Sequence, residues 1–155
     1  MKPDAREIHR VCRMIENEVG LTLASEQFNT DLRGIPPFDQ IPRMPKTSEE
    51  QLRLTKRLFH INEELEEAYE AKANDDIVGM ADAMADIVYL ALGICHDLGI
   101  PFKEVYAEIH RSNMSKERVK DASESKRGDP NDLKKGPAFS PADVKSVLQA
   151  FNADV

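Results

Sequence analysis

The sequence predicts an all-α protein, a four- to five-helix bundle that assembles as an oligomer, and three observations carry the fold class. Apolar residues recur at three-and-four spacing over long stretches, and start and stop signals bracket those stretches. No run keeps the period-two alternation of a half-buried strand. The 155 residues suffice for one domain with one modest core. Residues 1–120 are expected to form the helical core, and 121–155 a flexible tail with a short terminal helix in the same domain.

In residues 5 to about 19, Ile8, Val11, Cys12, Ile15 and Val19 mark an amphipathic helix that stops near Gly20. The segment GIPPFDQIPRMP, residues 34–45, holds too many prolines to be regular and reads as an extended connector. Thr47 or Ser48 then offers an N-cap, with Glu50 or Gln51 three residues on, for a helix to about Ala73 with a stripe of Leu54, Leu58, Ile61, Leu65 and Ala68. After a break at Asn74, residues 76 to about 98 predict a helix apolar on nearly every side and stopped by Gly99, which places it in the middle of a bundle. Pro101 opens a further helix over 102 to about 119 with Val105, Ile109 and Met114 facing inward. Residues 121–141 mix charge with Ser, Gly and Pro and read as a mobile or ligand-ordered tail, and PADVKSVLQAF restarts a short helix.

Composition narrows the function. Hydrophobic residues make up 41% and charged residues 32%, with a formal net charge of −7 and no basic stripe, so binding to a nucleic-acid polymer is disfavoured. An acidic protein still binds phosphorylated small molecules when divalent cations bridge carboxylates to phosphates. No stretch of about 18 uninterrupted apolar residues occurs, so no membrane span is expected. The N-terminal MKPDAREIHR lacks the apolar run of a secretory signal, which makes the cytoplasm the expected compartment. Cys12 and Cys95 lack metal-ligand spacing and read as reduced, packed thiols.

Two groups of carboxylates stand out. Glu63, Glu64 and Glu67 stack on one side of the long helix. Taken alone, such a run is more often a solvated face. On the following apolar helix, Asp82 and Asp86 lie four apart on one face, and a buried carboxylate is costly without a cation. Salt bridges to Lys or Arg would answer that cost. A hard divalent ion held by carboxylates from facing helices explains more of the pattern.

These residues resemble the MazG-like, all-α NTP pyrophosphatases, whose signature is Glu-Glu-x-x-Glu followed on the next helix by Glu-x-x-Asp. Glu63, Glu64 and Glu67 match the first half and Asp86 the final Asp, while Ala83 stands where the second motif has its Glu and Asp82 is the nearest replacement. EIHRSNMSK, ending at Lys116, resembles the segment that follows in the dimeric dUTPase-like branch. The resemblance implies a bundle of the all-α NTP pyrophosphatase type. It implies metal ligation by Glu63, Glu64, Glu67, Asp82 and Asp86, with Glu63, Glu64, Glu67 and Asp86 catalytic. It also implies phosphate binding by Asn113 and Lys116, with Arg111 and Lys134 as further substrate-binding candidates. Asn113 and Lys116, read as i and i+3 on one helix, would face the same way.

The expected activity is therefore Mg²⁺-dependent hydrolysis, with Mn²⁺ as a substitute, of an NTP or dNTP to the monophosphate and pyrophosphate. Phosphoribosyl-ATP hydrolysis is the nearest enzymatic alternative, and a non-enzymatic helical dimer that docks proteins on its acidic patch is the alternative of another class. An apolar helix that four helices can hardly enclose, together with the resemblance, implies a homodimer or a dimer of dimers.

Overall fold

The computed structural model describes residues 27–34 and 41–155. The helix expected over residues 5–19 and much of the proline-rich connector lie outside them. Among the described residues the architecture is helical: α1 (Ser48–Ala73), α2 (Ile77–Leu98), α3 (Phe102–Met114) and α4 (Val144–Ala150). A π turn at Phe28–Leu32 precedes them, and between α3 and α4 come β1 (Glu117–Arg118), a 3₁₀ turn at Ala122–Glu124 and β2 (Leu133–Lys134).

The ends of the two long helices follow their capping chemistry. At the start of α1 the Glu50 amide donates to Thr47 Oγ1 at 3.2 Å and the Glu50 carboxylate accepts the Thr47 amide at 3.2 Å, a complete capping box. Arg43 clamps the same carboxylate at 2.9 and 3.1 Å, and its hydrogen bonds, with that from the Lys46 amide, hold the Glu50 pKa down at about 2. Asp76 opens α2 by accepting the Val78 and Gly79 amides at 3.0 and 3.1 Å. Gly99, at φ 67°, closes it in the left-handed conformation that glycine adopts without penalty. Only residues 74–76 separate α1 from α2, so the two run back along each other as a helical hairpin, the principal packing in the molecule.

The register of that hairpin is set by a buried ion pair. Arg57 of α1 and Asp97 of α2 are 3% and 1% exposed, and Arg57 Nε meets Asp97 Oδ2 at 2.5 Å, a charge contact rather than a well-aligned hydrogen bond. Arg57 Nη2 donates to Asp97 Oδ1 at 3.3 Å and to Asn29 Oδ1 of the π turn at 2.6 Å. The same pair accounts for Gly93, since a Cβ at that position would collide with the Arg57 guanidinium. Burial lowers the Arg57 pKa and Asp97 pulls it back up; guanidinium stays charged regardless.

This pairing rotates α1 away from the face its leucines predict. Arg57, Ala68 and Ala71 are buried and Leu54, Ile61 and Glu64 half-buried, whereas Leu58 and Leu65 are exposed. Two members of the predicted stripe are thus corrected, because a guanidinium that must reach Asp97 decides which side of α1 turns inward. Nor do the other described residues enclose α2. Ala83, Leu92, Gly93 and Leu98 are buried, but Ile77, Val78, Met84 and Val88 are exposed. By length and composition α2 would pass as a membrane span. Asp82 and Asp86 in its middle are residue types that are costly in a bilayer.

The helix predicted to run to about residue 119 ends at Met114. Ser115 takes the C-cap, its hydroxyl donating to the Ser112 carbonyl at 2.7 Å, and the chain turns into β1. Met114 and Ile109 are exposed rather than inward. Across the segment read as a mobile or ligand-ordered tail, β1 pairs antiparallel with β2, Glu117 opposite Lys134 and Arg118 opposite Leu133. Arg111 fastens the stretch between β2 and α4, donating to Ser140 Oγ and the Pro141 carbonyl at 2.9 Å each while gripping Glu108. Glu108 also accepts the Asp143 amide at 2.8 Å. α3 therefore packs chiefly on α4 and the tail.

Removing one partner of a buried pair strands the other, so Arg57→Ala or Asp97→Ala should each cost about 3–5 kcal/mol in urea unfolding, and the double change Arg57→Met with Asp97→Leu much less than their sum. Equal, additive losses would show that the pair does not set the register.

Candidate active site

The rotation of α1 has a consequence for its glutamates. Ile61, Glu64, Ala68 and Ala71 follow Arg57 at four-and-three spacing along the side that meets α2, so Glu64 is half-buried while Glu63 and Glu67 are exposed. Desolvation comes first among the causes that raise the Glu64 pKa, followed by the negative charges of Glu67, Asp86, Asp82 and Glu63. The other four acidic residues singled out from sequence thus bear on the Glu64 carboxyl, two of them from the opposite helix. Asp82 acts on Glu64 beside Asp86, and Ala83 is 1% exposed, packed into the helix contact.

One expectation is corrected: Asp82 and Asp86 are exposed rather than buried, on a side of α2 that the other described residues leave uncovered. Among the described residues, no three carboxylate, histidine or cysteine side chains stand close enough together to hold a metal ion as they lie. Glu63, Glu67, Asp82 and Asp86 are within electrostatic reach of Glu64.

The phosphate-binding candidates gather elsewhere. Lys116 is outside the helix, yet its Nζ donates to Asn113 Oδ1 at 2.9 Å, so the two residues do meet, through the turn after α3. Lys134 enters by strand pairing, its Nζ 2.7 Å from Glu124 Oε2, whose hydrogen bond raises the Lys134 pKa. Lys116, Lys126, Arg127, Lys134 and Lys135 all line one open cavity of about 940 Å³, partly offset by Glu124, Asp129 and Asp132. Arg111 is not among its lining residues; its donors hold Glu108 and the tail. The acidic cluster lies on the hairpin and the basic cavity on the tail that packs against α3. Cys95 is half-buried, its thiol pKa raised by burial, and among the described residues it is a free cysteine; Cys12 lies outside them.

Sequence reasoning missed Arg57, Asp97 and Asn29. A signal existed: Arg57 falls three after Leu54 and four before Ile61, inside the apolar spacing, and Asp97 sits in the last turn of an apolar helix.

Comparison with known families places this helical chain in the MazG-like, all-α NTP pyrophosphatase superfamily. Residues 38–113 match the family model described as phosphoribosyl-ATP pyrophosphohydrolase, which puts the activity in the nucleotide pyrophosphohydrolase class. That match spans all five acidic residues and ends at Asn113, before Lys116 and Lys134. No curated protein matches the chain.

A carboxyl whose folded pKa lies above its unfolded one binds its proton more tightly when folded, so stability is greater below the unfolded pKa and is lost as pH rises through the folded value. Glu64→Gln should therefore raise Tm at neutral pH and flatten the decline that sets in as pH rises above the ordinary glutamate value of 4.5. The gain should shrink in high salt. A Gln variant that melts lower at neutral pH would contradict the crowding.

Proposed function

We propose that this protein hydrolyses a nucleoside triphosphate, ribo or deoxy, to the monophosphate and pyrophosphate with the help of Mg²⁺ or Mn²⁺. The observation that carries the reading is the convergence of Glu63, Glu67, Asp82 and Asp86 on Glu64. Five hard oxygen donors in one acidic neighbourhood fit hard divalent cations, although side chains must swing together to coordinate one. Glu63, Glu64, Glu67, Asp82 and Asp86 would hold the metal, with Asp82 in place of the glutamate missing at Ala83. When bound, the ion supplies charge neutralisation for the triphosphate and acidifies a water.

The chain's own groups do the rest. A carboxylate of the cluster accepts the proton of the attacking water. Asn113, with its amide, and Lys116 and Lys134, with mobile ammonium groups, suit the oxygens of the phosphates and of the departing pyrophosphate. Because those residues sit on the α3 and tail unit, a second copy of the chain is proposed to bring them to the carboxylates, burying the apolar residues left exposed on α2. The chain also lacks a Gly-x-x-x-x-Gly-Lys loop, so the cradle that many terminal phosphatases use is missing.

The family match favours one further reading, phosphoribosyl-ATP as the substrate. It needs the same carboxylates and differs in what surrounds the base and sugar.

Asp86→Asn should keep the helical spectrum and lower turnover at least about 100-fold, and Asp82→Asn should fall between it and wild type. Chromatography of one reaction should give monophosphate and pyrophosphate in equal amounts, with no turnover in EDTA. Nucleoside diphosphate with orthophosphate as first products would sink the reaction, and turnover of phosphoribosyl-ATP far above that of any triphosphate would select the second reading.

A further inference from the structure

We propose that the pocket between the π turn and α2 is a nucleobase site that selects guanine, read by Asp31 and Gln27 and stacked on Tyr89. The inference rests on the nucleotide pyrophosphohydrolase reading and names the base that the site prefers.

The pocket has a volume of about 400 Å³ and is lined by Gln27, Phe28, Asp31, Leu32 and Tyr89. That volume lies within the range of small-molecule sites, about 300–1,000 Å³. Tyr89 stands three residues after Asp86 on α2, so it is about 4.5 Å further along the axis and on the neighbouring side of the helix. A base against Tyr89 would leave its sugar and phosphates to run toward the acidic cluster. The Phe28 ring meets the Tyr89 ring edge to face, centroids 5.3 Å apart and planes at 87°. That arrangement props the tyrosine ring while leaving it 40% exposed overall, and an accessible aromatic face is a stacking platform for a base.

The polar groups decide which base. Asp31 is a carboxylate, which accepts hydrogen bonds and donates none, and Gln27, four residues earlier, carries an amide that donates. Guanine presents two adjacent donors, N1–H and the N2 amine, beside the O6 acceptor. A carboxylate takes the two donors as a bidentate pair and the amide nitrogen reaches O6. Uracil offers one donor flanked by two carbonyls, and those carbonyls would face the carboxylate unfavourably. The turn that carries these residues is also pinned: Asn29, 1% exposed, accepts the Arg57 guanidinium at 2.6 Å, tying the pocket wall to the buried ion pair. A site held by such a support keeps its geometry when the ligand arrives.

The test uses neutral nucleosides, which need no metal and so report on the pocket apart from the reaction. In saturation-transfer NMR titrations guanosine should bind at least about tenfold tighter than uridine. Asp31→Asn should bring that ratio to within about threefold, and Tyr89→Ala should weaken all four nucleosides together. Should Tyr89→Ala fail to fold, Asp31→Asn on its exposed turn carries the test alone. A wild-type protein that binds no nucleoside, prefers another base, or keeps its preference in Asp31→Asn overturns the proposal. Turnover separates the two readings: guanosine selectivity through Asp31 without triphosphate hydrolysis would leave the pocket standing and remove the reaction, and base-blind hydrolysis would do the reverse.

Discussion

Arg57 carries a guanidinium into the contact between two helices, where it is 3% exposed and faces Asp97 at 1%. Desolvating both charges is expensive, and the arrangement persists because each supplies the other with its counter-charge while Asn29 accepts a further guanidinium hydrogen. Several features depend on it. Gly93 must lack a side chain, the π turn must lie against the hairpin, and α1 must rotate so that the Arg57 face turns toward α2. A purely apolar seam would have tolerated neighbouring rotations and registers at little cost, which a single buried charge pair does not.

That rotation is what makes Glu64 unusual among the five acidic residues. It lies on the same side as Arg57 and Ala68, is partly desolvated, and feels negative charge from both helices. Like charges gathered without a counter-ion oppose folding, and sites of function commonly carry such a cost. The raised Glu64 pKa expresses its desolvation first and then the repulsion of the four neighbouring carboxylates.

The residues from α3 onward form a second assembly in which polar contacts do most of the fastening. Arg111 bridges Glu108 to the tail, Asp143 caps α4, and side-chain bonds such as Ser125 to Asp132 hold the loop between the strands. These contacts shape the basic cavity and place Lys116 and Lys134 on the same wall. The apolar residues left uncovered on α1 and α2, among them Leu58, Phe59 and Val88, lie on the hairpin, so the half of the molecule with the acidic cluster is also the half with most to gain from a partner.

What the amino-acid sequence determined by itself is what depends on neighbours along the chain. The helical class, the Thr47 box, the Asp76 start and the Gly99 stop are local, because caps and glycine conformations act within one turn. The grouping of Glu63, Glu64 and Glu67 on one helix and of Asp82 and Asp86 on the next was legible for the same reason. The tertiary structure decided what periodicity cannot. Leu58 and Leu65 share a plausible apolar stripe with Leu54 and Ile61, yet they face outward because a charge forty residues away, Asp97, draws Arg57 inward. The end of α3 at Met114, the pairing of β1 with β2, and the meeting of Phe28 with Tyr89 depend likewise on contacts between distant segments. A spacing of three and four says which residues share a face; only the partner across the interface says which face is buried.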